Sequence, residues 1–349
     1  MDRRKQLLAY AIMAAIFAAG VFWILNKPKA LEYDGGRRFL MGTFARVVAI
    51  AEDGRTAARC AEAAYNSIKN IDRLMSDYIA DSDISRVNRE AFRHPVQVSE
   101  ETFEVLQRSI YFSKLTDGAF DITVGPLVDL WREAADANSE PNEVEMADAR
   151  SKVGYEKLIL DADNRTVKFQ VKGMRLDLGA IAKGYGVDKA IETLREKGAI
   201  GGMAEIGGEV RCFGRGPKGR ENWLVGLQDP AKPSAGLGDE MLLMLLELDD
   251  AAAATSGDYQ QSVIVEGKRH SHIIDRGSAM GAEGLSSVTI IADNCTDADV
   301  LATAVSVMGA KKGLGLIESI EGVEAILVGP APGYEMMETS GAGRYVHEQ

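Results

Sequence analysis

The sequence predicts an α+β body of mixed sheets with packed helices, preceded by one N-terminal membrane-anchor helix. Three observations carry that prediction. Short β-branched runs and amphipathic helical runs alternate irregularly, which suits α+β better than a regular βαβ array. The helical runs are marked by apolar residues at three- and four-residue spacing. An uncharged stretch from Leu7 to Leu25 stands apart, separated from the rest by the polar segment Lys27–Arg38.

That stretch follows Arg3, Arg4 and Lys5. As a helix it would rise roughly 28 Å, close to the hydrocarbon thickness of a bilayer and longer than the apolar region of a signal peptide. The basic residues ahead of it predict a cytoplasmic N-terminus and an exported body, although Lys27 and Lys29 weaken the contrast. No cysteine follows the stretch, so it is not a lipoprotein signal, and Pro28-Lys29-Ala30 makes a poor cleavage site. The expected organisation is an anchor over 1–30, a linker over 31–38 and one body over 39–349.

Within the body, Phe39–Ala51 reads as a strand through Val47, Val48 and Ile50. Thr56–Ser76 reads as a helix on the spacing of Ala57, Ala61, Ala64, Ile68, Ile71 and Leu74. Glu100–Thr116 is a second helix, with Ser99 as N-cap and Gly118 just past its end. Arg132–Asp148 is polar and acidic, a surface loop with a short helix. Leu158–Leu160 and Thr166–Val171 are strands joined by the turn signal Asp161–Asn164. Gly184–Lys197 is helical. Glu209–Phe213 and Trp223–Leu227 read as a hairpin, followed by a strand at Met241–Leu248. Val288–Ile291 is a strand, Thr296–Met308 a helix, and Ala325–Val328 closes the sheet.

Composition narrows the function. The formal net charge is -12, against nucleic acid as a partner, since phosphate backbones need clustered Lys and Arg. An anionic ligand would need local positive charge or a metal ion. Cys60, Cys212 and Cys295 lie far apart and form no C-x-x-C pair, so they read as buried apolar residues. Gly214-Arg215-Gly216-Pro217-Lys218-Gly219 matches G-x-G-x-x-G, but Pro217 and the strand-like run after it leave no helix to open, so it reads as a glycine-rich hairpin loop.

Six segments carry the chemistry. They are Met41-Gly42-Thr43, the run Gly118–Leu127 and the run Leu176–Tyr185, then Thr255–Tyr259, Ser271–Asp275 and Ala298–Ala304. In this order the set resembles the FAD:protein FMN transferase family, also called ApbE, from about Met41 to Val328. The resemblance implies an ApbE-like, T-fold-like arrangement and magnesium-dependent transfer of FMN from FAD to a threonine or serine hydroxyl, releasing AMP. It also implies an exported acceptor, such as a subunit of a membrane redox complex, and a site of action on the outer side of a bacterial inner membrane.

Asp299 and Thr303 lie four residues apart on a predicted helix, so their oxygens share a face. A carboxylate, a hydroxyl and a backbone carbonyl suit a small hard cation that keeps waters and substrate phosphates as its other ligands. The resemblance assigns that carbonyl to Ala180 and the cation as magnesium. Lys183 would be a second source of positive charge for the pyrophosphate of FAD. Asp177 and the segment Ala119, Phe120 and Asp121 match positions that contact the flavin nucleotide, though Asp121 could instead cap the turn before Thr123. Met41, Tyr78 and Ile273 are grouped with the cofactor-binding positions, Tyr78 through its ring.

His272 matches the family's histidine and is the candidate general base, with His270, two residues earlier and expected on the same strand face, as its rival. Asp258 and Asp275 are candidate helpers that orient the base or the waters of the metal. One departure stands out. The family continues the histidine motif with Pro-Arg-Thr-Gly, whereas this chain reads Asp275-Arg276-Gly277-Ser278. Two other functions share these residues: a magnesium-dependent pyrophosphatase that splits FAD into FMN and AMP, and a flavin carrier without catalysis, which would not need the metal pair.

Overall fold

Residues 30–232, 241–257 and 262–347, together with Met13, are described by a computed structural model of the chain. Two expectations fall outside them: the Leu7–Leu25 span, apart from Met13, and Asp258. Among the described residues no helix is long and apolar enough to cross a membrane.

In chain order, strands β1 (Leu31–Leu40) and β2 (Thr43–Ala51) lead into helices α1 (Gly54–Met75) and α2 (Asp83–Glu90). Strand β3 (Val96–Gln97) and helices α3 (Glu100–Leu115), α4 (Gly125–Ala137) and α5 (Glu143–Ser151) follow. Next come β4 (Leu158–Asp161), β5 (Thr166–Phe169), α6 (Ala182–Glu196), β6 (Gly201–Ile206) and β7 (Glu209–Gly214). Then β8 (Trp223–Gln228), β9 (Leu242–Leu248), β10 (Ala252–Gly257), β11 (Ser262–Val265) and β12 (Lys268–Ser271). The chain finishes with β13 (Ser287–Ala292), α7 (Cys295–Met308), α8 (Ala310–Ile317), β14 (Glu324–Val328) and β15 (Met336–Glu338).

Eight strands form one antiparallel sheet in the order β1-β2-β6-β7-β10-β13-β14-β15. Strand β2 is buried over most of its length because both faces of the sheet are covered. On one face α1, α6 and the start of α7 bury Ala57, Ala64, Ile68, Ile191 and Cys295 against Val47, Ala49 and Ala204. On the other, the separate β8–β9 pair lays Trp223, Leu227, Leu246 and Leu248 over Val48, Ile50, Val210 and Ile291. Each fully buried large side chain among these contributes about 1.5–3 kcal/mol. The three cysteines are buried and free.

The fold is mixed α+β as expected, with five local corrections. The segment expected as a linker, 31–38, belongs to β1, which pairs with β2 from Leu31 opposite Ala51 to Leu40 opposite Thr43. It is an exposed edge strand held by polar pairs such as Arg46–Asp34 (2.8 Å), so it lacks the buried alternation that marks a strand. The expected strand Phe39–Ala51 is broken at Met41 and Gly42, whose φ values of 52° and 73° make the hairpin turn. Glu209–Phe213 does not pair with Trp223–Leu227. It pairs with β6 across Gly207 and Gly208 (φ 63° and 110°), a two-residue connection that needs positive φ at both positions. Strand β8 pairs with β9 instead, and the Gly214–Gly219 run is the connection between two sheets. Finally, β14 does not close the sheet, since β15 adds an edge beyond it. The segment Arg132–Asp148 proved more ordered than a loop, with α4 ending at left-handed Asn138 and α5 opened by an Asn142–Glu145 capping box.

Candidate active site

A cavity of about 860 Å³ opens where the Met41–Gly42 turn, the end of α1, the 119–122 segment, the 177–183 segment, the start of β7 and helix α7 meet. Met41, Tyr78, Ala119, Phe120, Asp121, Asp177, Ala180, Lys183, His272, Ile273, Asp299 and Thr303 all line it. Asp275 is not among the lining residues.

The charged end of the cavity is built by two helices locked together. Helix α6 approaches α7 closely because residue 184 is glycine: a Cβ there would lie 2.4 Å from the Cys295 carbonyl oxygen. The Gly184 N–H donates to Asp299 Oδ2 (3.0 Å). Asp188, one turn further along α6, accepts from the backbone N–H of Cys295 (2.9 Å) and Thr296 (2.8 Å), so its charge sits at the N-terminus of α7. These bonds fix where Asp299 points.

Lys183 lies between two buried carboxylates. Its ammonium donates to Glu209 Oε1 and stands 3.9 Å from Asp299 Oδ1. Burial pushes both carboxyls above their ordinary range, while Lys183 opposes that push. Burial also disfavours the ammonium, but Asp299 and Glu209 outweigh it and raise the pKa of Lys183. Glu209 was not legible in the sequence; its signal is a carboxylate opening a strand directly after Gly207-Gly208. Glu209 Oε2 is buried without a partner. Thr303, one turn along α7 from Asp299, has its hydroxyl 3.5 Å from that of Ser256 at the end of β10. The donors here are hard oxygens, and two carboxylates share one ammonium, so the cluster could hold a divalent cation.

Asp121 is the residue for which the capping role is visible. Its Oδ1 accepts from the N–H (2.8 Å) and hydroxyl (2.7 Å) of Thr123, and its Oδ2 from the Tyr155 N–H (2.9 Å) and Arg276 (2.9 Å). Desolvation raises its pKa against these bonds. Asp177 accepts from the Gly179 N–H (2.8 Å) and lies 4.0 Å from Arg132, whose guanidinium also sits 5.9 Å from the ring of Tyr78. Tyr78 is 81% exposed, a ring standing at the cavity mouth.

The two histidines part company. Strand β12 ends at Ser271, so His272 leaves the strand and lines the cavity, whereas His270 stays in it and stacks on Trp131 with ring centroids 4.5 Å apart. His270 Nε2 is 3.8 Å from Glu140, and His270 is not a lining residue. The expectation that both share one face fails because the strand stops between them. Asp275 spends its carboxylate on its own loop, accepting from the N–H groups of Gly277 (2.9 Å) and Ser278 (3.0 Å). Although burial opposes them, these bonds hold its pKa low.

The profile of the ApbE family matches residues 41–327. A FAD:protein FMN transferase of Vibrio cholerae serotype O1 is 32% identical over 283 residues, covering 80% of this chain and 82% of that one. The solved structure of the ApbE protein of Thermotoga maritima superposes with a TM-score of 0.80 at 32% identity, over 91% of this chain and 100% of that one. The flavin transferase ApbE of Vibrio cholerae gives a TM-score of 0.76 at 29% identity, over 90% of this chain and 99% of that one. With the match running through every segment that builds the cavity, the chain belongs to the ApbE family.

Proposed function

We propose that this chain transfers the FMN moiety of FAD to a threonine or serine hydroxyl of an acceptor protein and releases AMP. The observation that carries this is the cavity itself: a buried Asp299–Lys183–Glu209 cluster at one end, apolar walls from Met41 and Phe120, and His272 beside them. Relatives named FAD:protein FMN transferase support it. Asp299, Thr303 and the Ala180 carbonyl would hold a magnesium ion, which would neutralise charge on the pyrophosphate and on the AMP phosphate as it leaves.

The chain's own groups do the rest. Met41, Phe120 and Tyr78 enclose the flavin nucleotide and exclude water from it. Lys183 keeps its proton beside the pyrophosphate. His272 takes the proton of the acceptor hydroxyl while that oxygen bonds to the FMN phosphorus and the bond from phosphorus to the AMP oxygen breaks. Positioned base catalysis of this kind supplies roughly 10²–10⁴-fold. Arg276 and Asp275 shape the loop behind His272. The site of action we propose is the outer side of a bacterial inner membrane, supported by Arg3-Arg4-Lys5 ahead of the uncharged Leu7–Leu25 stretch; reporter fusions after residue 40 that are active only in the cytoplasm would refute it.

The direct test incubates the purified full chain with FAD, magnesium and an exported domain of a membrane redox complex, then reads the acceptor's intact mass. A gain of one FMN, absent after chelation and absent for Asp299→Ala, supports the assignment. AMP released equally with and without the acceptor would make the protein a pyrophosphatase.

A further inference from the structure

Among the described residues, Glu209 is a buried carboxylate of the cavity wall with one oxygen left without a hydrogen-bond partner. It opens β7 immediately after the Gly207–Gly208 turn and is 2% exposed. One oxygen accepts from Lys183; the other, Oε2, is shielded from solvent and has no partner. Leaving a buried acceptor empty is costly, and more so when it is charged. Asp299, across the same ammonium, has Oδ2 satisfied by Gly184, but its Oδ1 is 3.9 Å from Lys183, beyond hydrogen-bond reach. Two carboxylates therefore draw on one lysine in the wall of the cavity. Arg211, two positions along β7, is bonded through Nη1 to Asp188 (2.8 Å), and its Nε is buried without a partner.

We propose that Glu209 is a positioning residue of the cation site: Oε2 accepts a hydrogen bond from a water carried by the bound cation, while Oε1 holds Lys183. The proposal rests on the cation-dependent function above and adds to it a residue on the strand opposite α7. Lys183 is bonded to Glu209 and stands 3.9 Å from Asp299, so Glu209 would act on a cation held by Asp299 and Thr303 from behind the lysine, through a water rather than as a direct ligand. A carboxylate in that place orients the water and balances the cation's charge. Groups in this outer layer typically change metal affinity by 10–100-fold.

The test uses the purified full chain without FAD and Mn²⁺ as the probe, with free Mn²⁺ counted by electron paramagnetic resonance. Wild type should bind, Asp299→Ala should not, and Glu209→Gln should bind roughly 10–100-fold more weakly. Glutamine keeps an oxygen for Lys183 while removing the charge and the acceptor at Oε2, so the metal-free Glu209→Gln protein should melt no lower than wild type. Wild-type affinity in Glu209→Gln would overturn the proposal. No Mn²⁺ uptake by wild type would overturn the cation assignment itself, and this proposal with it. Should Glu209→Gln fail to fold, a crystal of the wild type grown with Mn²⁺ decides: an anomalous peak with a water bridging to Oε2 is expected, and a peak whose waters do not reach Glu209 overturns the assignment.

Discussion

Arg276 donates to the buried carboxylate of Asp121 at 2.9 Å, joining two segments 155 residues apart. That bond ties the loop after His272 to the 119–122 wall of the cavity. It also explains Gly118, where a Cβ would lie 2.2 Å from the Arg276 guanidinium. In this chain Arg276 anchors that loop.

Arg276→Ala leaves Asp121 charged and buried with one partner fewer. The three bonds from Thr123 and Tyr155 remain, so we expect a loss of about 2–3 kcal/mol rather than the full cost of an orphaned charge. Urea denaturation at pH 7 measures it. A loss no larger than that of a surface substitution would show that the bond holds nothing in place.

His272→Gln should lower the turnover for flavin transfer by roughly 10²–10⁴-fold while leaving FAD affinity unchanged. His270→Gln should behave oppositely. It removes the stack on Trp131, costing about 1 kcal/mol of stability, and leaves transfer near wild type. Fluorescence titration of FAD and single-turnover mass spectrometry separate the two, and equal losses in both variants would return the base assignment to either histidine.

Gly184→Ala should be destabilising by about 1–3 kcal/mol, because its Cβ meets the Cys295 carbonyl and a neighbouring backbone cannot yield as a flexible side chain can. Gly315 in α8 is the matched control. It is exposed, has nothing within 4 Å of a Cβ, and as alanine should gain about 0.5–1 kcal/mol of helix stability. Thermal and chemical unfolding of the pair test whether the close approach of α6 to α7 is real.

Asp83 supplies a pH signature away from the cavity. Its carboxylate accepts from the Ser99 N–H (2.7 Å) and pairs with Arg86. Burial opposes ionisation, but the bonds to Ser99, Arg86 and Thr102 prevail and hold its pKa below the ordinary value. A depressed carboxylate stabilises the fold fully above its unfolded pKa, about 3.9, and loses that contribution as pH falls through the folded value. Asp83→Asn should therefore cost about 1–2 kcal/mol at pH 7, and the gap from wild type should narrow below about pH 4. A gap that stays constant down to acid pH would contradict the assignment.

The long helices and the apolar strands were legible because each repeats one local rule many times: the periodic alanines and isoleucines of 57–74, the cap at Ser99, the run 288–291. The ordered motifs hold many of the cavity-lining residues, among them Asp299 and Thr303, whose spacing alone puts them on one helical face. Other features depended on distant partners. Strand β1 is polar and becomes a strand only because β2 offers it an edge; β6 and β10 are rich in glycine and alanine and gain their identity from the sheet around them. Whether His270 or His272 enters the cavity was decided by where β12 ends. Glu209 joined the site because β7 faces α6, which no spacing in the sequence expresses. Sequence alone thus determined the family, through its ordered motifs, and the helices that hold most of 56–76, 100–116, 184–197 and 296–308, since these rest on patterns repeated within a few positions. Tertiary structure decided the pairing of strands, the partner of Lys183 and the anchoring of the 275–280 loop, because burial and charge balance are set by what the rest of the chain brings alongside.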